Sequence, residues 1–238
     1  MLEQFKKYVE TFDMDDTNIA LKYYHSLRVM NICKLISKNA GFNKADIKIA
    51  EIIGLLHDYG RFPQWRDYHT YNDHESIEHA DLAVELLFNK KQIKNFWNKE
   101  EDYDEIYDAI KYHSKLRVPK NLSSHNRMMC KVIRDADKLD ILYLYADKHI
   151  EFPEDGEVSI NVKENFDNEQ IIDKRKLKTK ADFGLVVLAL VFDLNFKCSF
   201  EYLKKYKLIN QIYENIKDKE KFKYYFDKIN KYIDEEMK

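Results

Sequence analysis

Only 5 glycines and 3 prolines punctuate the 238 residues of this chain. With so few breakers and an abundance of Leu, Ile, Lys and Glu, helix is expected over most of its length, and an all-α fold follows. Apolar positions at Leu21, Leu27, Ile32, Leu35 and Ile36 predict a helix over about 18–40 that stops at Gly41. A second is expected from Lys44 to Asp58, ended by Gly60 and Pro63. Residues 61–74 show no periodicity and read as a long aromatic loop. Helices resume at about 75–89, 102–114 and 125–148. The stretch 150–178 breaks the pattern. It contains Pro153 and Asp155-Gly156, and Val158-Ser-Ile-Asn-Val162 alternates apolar with polar, so a short hairpin or an irregular lid is expected there. Helices return from Ala181 as a C-terminal extension. The expected organisation is a helical domain over 1–148, with 149–238 packing on it as an irregular segment and further helices.

At 45% hydrophobic residues the chain can build a core without disulfides. Its 40 basic and 42 acidic side chains leave a net charge of −2. No block of one sign points to nucleic acid or to an anionic membrane. The longest apolar run, Phe183–Phe192, is cut by Asp193 and is too short to span a bilayer. Cys33, Cys130 and Cys198 are far apart and odd in number, which argues against a disulfide framework or a thiolate zinc site. They read as small buried hydrophobes. The N-terminus lacks the apolar core of a signal peptide. A reduced, cytoplasmic protein is expected, its oligomeric state open, a homo-oligomer included.

Histidines and carboxylates carry the chemical information. His57-Asp58 closes an otherwise apolar helix (Ile52-Ile53-Gly54-Leu55-Leu56), and polar groups buried there need partners. Either the pair caps the helix against a neighbour or both ligate one cation, which consecutive residues can do only near a helix end. His25 lies mid-helix, with Arg28 one turn on and on the same face. Asp135-Ala-Asp137-Lys-Leu-Asp140 follows an apolar run; Asp137 and Asp140 share a face, while Asp135 and Asp137 point about 200° apart. His74-Glu75-Ser-Ile-Glu78-His79 superficially resembles a zinc-protease signature. Its histidines are five apart, about 140° around a helix, so they cannot share an ion there. Glu75 and His79, four apart, are expected to pair and orient the imidazole. No phosphate loop, nucleophile elbow or dinucleotide fingerprint occurs.

Taken in order, His25-Ser-Leu-Arg-Val, Leu56-His57-Asp58-Tyr-Gly60 and Asp135-Ala-Asp137-Lys-Leu-Asp140 resemble the HD superfamily of metal-dependent phosphohydrolases. The resemblance covers roughly residues 20–145. It implies an HD-domain helical bundle in which His25, His57, Asp58 and Asp137 bind the metal, selecting Asp137 over Asp135. It also implies a hydrolase of phosphate esters or anhydrides acting on a nucleotide or similar small phosphorylated metabolite. A di-iron oxygenase and a non-catalytic nucleotide-sensing module are the rival classes. His nitrogens and carboxylate oxygens suit Mn²⁺, Fe²⁺, Co²⁺, Ni²⁺ or Zn²⁺, with Mg²⁺ also admissible. Asp58 would orient the attacking water or act as its base, and Arg28, Arg61 and Lys138 would bind phosphate. His79 and His113 match members that hold a second ion bridged by the His-Asp carboxylate. Lys115 replaces an acidic residue often seen there, and Tyr112-His113 replaces a paired His-His. The balance therefore tilts to one tightly held metal, with His79 and His113 contacting phosphate.

Overall fold

The computed structural model describes residues 1–238, apart from the side chain of Lys176. Among the described residues there is no strand. Twelve α-helices follow one another: α1 (Leu2–Val9), α2 (Thr17–Asn39), α3 (Lys44–Leu56), α4 (Arg61–Tyr68), α5 (His79–Val84), α6 (Tyr103–Tyr112), α7 (Ser124–Ala146), α8 (Ile160–Asp167), α9 (Lys180–Ala189), α10 (Lys197–Lys205), α11 (Leu208–Asn215) and α12 (Lys219–Glu236). The chain divides into two compact units, Met1–Ala136 and Asp137–Lys238, and the boundary falls inside the unbroken helix α7.

In the first unit α2 and α3 form the central antiparallel pair. Asp16 caps α2 by accepting the Asn18 amide at 2.8 Å, and Asn43 caps α3 by accepting those of Ala45 and Asp46. Gly41 takes a left-handed φ of +78° between the helices, as the expected stop requires. Ile32, Cys33 and Ile36 of α2 are buried, as are Ile49, Ile52 and Ile53 of α3. Gly54 sets how closely the helices approach: a Cβ there would lie 2.8 Å from the Met30 backbone and 2.9 Å from Cys33 Sγ.

The expected loop over 61–74 is instead α4 followed by an irregular segment. Pro63 sits in the first turn of α4, where a missing N–H breaks no helical hydrogen bond. Proline was a start signal here, not a stop. His69 closes α4 in the left-handed conformation, φ 54°. The helix expected from residue 75 begins only at His79, so Glu75 and His79 share no helix.

The hairpin expected within 150–178 is absent; α8 occupies Ile160–Asp167 and a 3₁₀ turn Lys174–Lys176. Val162 and Phe166, four apart, are buried while Ile160 is exposed, so the short alternation was the start of a helical face. Buried Asp182 in α9 anchors this region of the second unit. It accepts hydrogen bonds from the Ser159 amide at 2.7 Å, the Ser159 hydroxyl at 2.8 Å and the Lys178 amide at 2.8 Å, and forms a capping box with Thr179. The apolar run from Phe183 is a buried helix, and among the described residues no helix is long and apolar enough to cross a membrane. Cys33 and Cys130 are buried and form no disulfide, burial pushing the Cys130 thiol up to about 12; Cys198 is half-buried.

Gly54 gives a stability prediction. Gly54→Ala places a methyl group against the α2 backbone, which cannot withdraw as a flexible side chain would. Urea unfolding should show a loss of about 1–3 kcal/mol. An unchanged midpoint would contradict the close packing of α2 on α3.

Candidate metal centre

α2 and α3 bring His25 and His57 together within the first unit. Their Nε2 atoms are 3.2 Å apart, and both rings are fully buried. His57 is the residue at which α3 ends, and its Nδ1 lies 2.9 Å from the carbonyl of Gly54. Asp58 follows in the turn between α3 and α4, where the chain bends enough for consecutive side chains to converge.

Asp58 is the meeting point. Its Oδ2 lies 3.4 Å from His25 Nε2 and 3.6 Å from His57 Nε2. Its Oδ1 lies 3.4 Å from His79 Nε2 and 3.8 Å from His113 Nε2. His79 and His113 face each other in turn, with their Nε2 atoms 3.0 Å apart. The first unit thus holds two ligand sets, His25–His57–Asp58 and Asp58–His79–His113. Each is fully buried, with ligand atoms within 4.8 Å of one another.

The tautomers decide what such a cluster can hold. Nδ1 of His57 faces a backbone carbonyl, that of His113 faces the carbonyl of Ile110 at 2.7 Å, and that of His79 faces Asp73 Oδ2 at 2.7 Å. Carbonyl and carboxylate oxygens only accept, so each neutral ring carries its proton on Nδ1 and presents an unprotonated Nε2. Burial, with the Arg61 guanidinium, lowers the His79 pKa and keeps that ring neutral. Nitrogen lone pairs 3.0 Å apart beside a carboxylate oxygen repel unless a cation lies between them. Ligand atoms about 2 Å from one ion are themselves about 3–3.5 Å apart; the separations here run from 3.0 to 3.8 Å. Burial would raise the Asp58 pKa, but the Lys22 ammonium, with the Arg61 guanidinium, holds it well below the usual carboxylate range. The donor set therefore fits divalent cations.

Two residues of this centre carried no signal that singled them out in the sequence. Lys22, one turn before His25, places its Nζ 2.7 Å from Asp58 Oδ2 and 5.4 Å from the centre of the Tyr71 ring. Its helical spacing from His25 was the only available clue. Asp73, not Glu75, lies against His79 Nδ1; no helix links Glu75 to His79, so the expected i,i+4 pair does not form.

The expected phosphate-binding cations lie in different settings. Arg28 is half-buried on α2, one turn after His25. Arg61 Nη1 donates to Gln64 Oε1 at 2.7 Å, the Tyr71 carbonyl at 2.7 Å and Asp73 Oδ1 at 2.8 Å, while its Nε stands 3.6 Å from Asp58 Oδ1. Lys138, in the second unit, is buried and pairs with Asp193 at 2.8 Å. The Lys115 ammonium pairs with Glu78 and Asp81. On α7, Asp135 is fully buried and Asp137, half-buried, is the first residue of the second unit. Arg134, one turn before Asp137 on that helix, donates to the carbonyls of Tyr112, His113 and Lys115.

No curated protein and no solved structure matches the chain. The family model of the HD domain matches residues 23–153, more than half of its length and the whole of α3 to α7. The chain belongs to the HD domain family, whose members are typically metal-dependent hydrolases.

Proposed function

We propose that the chain is a metal-dependent hydrolase of phosphate esters or anhydrides, acting on a nucleotide or a similar small phosphorylated metabolite. One observation carries this reading: two sets of imidazole nitrogens face opposite oxygens of a single buried carboxylate, Asp58. That pattern favours two cations over the single ion to which the sequence tilted. The Lys115 substitution that supported one ion does not bear on the histidines, because its ammonium is turned to Glu78 and Asp81.

Bound divalent cations would lower the pKa of a water and offset charge on a phosphoryl oxygen. His25, His57 and Asp58 would hold one, with Asp137 in the role that the resemblance gives it, and Asp58, His79 and His113 the other. Asp58, with one oxygen toward each set of histidines, would serve both positions. Lys22 is the cation nearest its carboxylate, and with Arg28 one turn beyond His25 it gives α2 two positive charges to attract an anionic substrate. Arg61, engaged with Gln64, Tyr71 and Asp73, serves the scaffold of the site.

Metal analysis of the purified chain, then a phosphate-release screen over nucleotides and sugar phosphates with Mn²⁺, Co²⁺, Ni²⁺, Zn²⁺ and Mg²⁺, tests this. Metal-dependent release from at least one class is expected. Two equivalents of iron with O₂-dependent turnover and no phosphate release would replace the hydrolase with an oxygenase. Tight nucleotide binding without turnover would leave a sensing module.

Single substitutions separate the two positions. Asp58→Ala should lose both equivalents of metal, and His113→Ala only one, while far-ultraviolet circular dichroism stays unchanged. Full metal content and turnover in Asp58→Ala would misplace the site. Lys22→Ala should raise KM at least several-fold with metal content retained; an unchanged KM would remove Lys22 from substrate binding.

A further inference from the structure

We infer that Asp73 is the positioning residue of the second cation site, fixing the tautomer and direction of His79, and that Arg61 and Gln64 serve to hold Asp73. The inference rests on the two-cation reading above. What each Nδ1 meets differs among three histidines, His57, His79 and His113.

His57 and His113 sit where α3 and α6 end, and each reaches back to the carbonyl three residues earlier, Gly54 or Ile110. Their own helices orient those rings. His79 is the first residue of α5, so no helical carbonyl lies three residues before it. A carboxylate from the preceding irregular segment takes that place: Asp73 Oδ2 lies 2.7 Å from His79 Nδ1.

Asp73 is itself held from the other side. Its Oδ1 accepts from Arg61 Nη1 at 2.8 Å and from Gln64 Nε2 at 2.9 Å. Gln64 is fully buried in α4, and its amide orientation is forced. Its Nε2 donates to the Ile77 carbonyl at 2.9 Å and contacts the Ser76 hydroxyl at 2.8 Å, while its Oε1 accepts from Arg61. Arg61 also donates to the Tyr71 carbonyl. One guanidinium and one amide thus tie residues 71, 73, 76 and 77 to α4. Gly60 lets the His79 backbone come close, since a Cβ there would lie 2.2 Å from the His79 carbonyl oxygen. A carboxylate behind a ligating imidazole fixes its tautomer and raises its basicity, and removing it typically costs about 10–100-fold in metal affinity.

The side chain at position 73 must accept on both sides. An asparagine in its place cannot do this: in either amide orientation its NH₂ meets the His79 Nδ1–H or the Arg61 and Gln64 donors. Asp73→Asn, which keeps the shape, should therefore fail nearly as badly as Asp73→Ala. If Asp73 only filled space, Asp73→Asn would be close to wild type.

The test uses the full chain, loaded with Zn²⁺ and also stripped of metal, with two readouts. Zinc titration should show the second equivalent bound about 10–100-fold more weakly in Asp73→Asn and Asp73→Ala, with the first unchanged. Long-range ¹⁵N–¹H imidazole spectra of the metal-stripped protein should show His79 as the Nδ1–H form in wild type and as mixed tautomers in both variants. Wild-type affinity in Asp73→Asn, or retention of the Nδ1–H form in both variants, overturns the assignment. Should wild type take up a single equivalent, the two-cation reading fails, and the spectra of the stripped protein still decide whether Asp73 sets His79.

Discussion

A carboxylate buried to the last few per cent of its surface is costly unless other groups compensate its charge, and Asp58 is that carboxylate. Lys22 supplies one positive charge at 2.7 Å, and Arg61 approaches the other oxygen. The four imidazoles supply none while neutral, and those of His57, His79 and His113 turn lone pairs inward. Lys22 and Arg61 thus compensate the carboxylate, while the facing imidazole lone pairs make with it a set of ligand atoms that divalent cations would satisfy. Much of the first unit follows from bringing these side chains to one point.

That convergence depends on close backbone approach. Gly54 brings α3 onto α2, setting His57 against His25, and its carbonyl also receives the His57 Nδ1–H. Gly60 admits the start of α5 beside the turn that carries Asp58. Two of the chain's five glycines therefore serve the geometry of one centre. The buried Gln64 amide then secures the segment between α4 and α5, which lies outside any helix. Packing, more than local propensity, directs each ligand.

The sequence shows the helices that have long apolar periods, and α2, α3 and α7 lie within two residues of the expected limits. His57 and Asp58 could be singled out because polar groups closing an apolar helix demand partners, whereas His25 and Asp137 entered only through the resemblance to the HD superfamily. α4 was hidden by Pro63, whose missing N–H is harmless in a first turn but reads as a break when the helix start is unknown. The expected hairpin came from an alternation too short to separate period 2 from period 3.6. Lys22 and Asp73 look like ordinary charged residues. What marks them is distance to Asp58 and His79, which no local pattern encodes. Glu75 had the right spacing for a helix that begins four residues later than expected.

The central claim is that one carboxylate serves two cation positions. Anomalous diffraction from crystals of the chain grown with Mn²⁺ tests it most directly. The account predicts two peaks about 3.5–4 Å apart, one among His25, His57 and Asp58 Oδ2, the other among Asp58 Oδ1, His79 and His113. A single peak under full occupancy, with His79 and His113 turned from the metal, would contradict it.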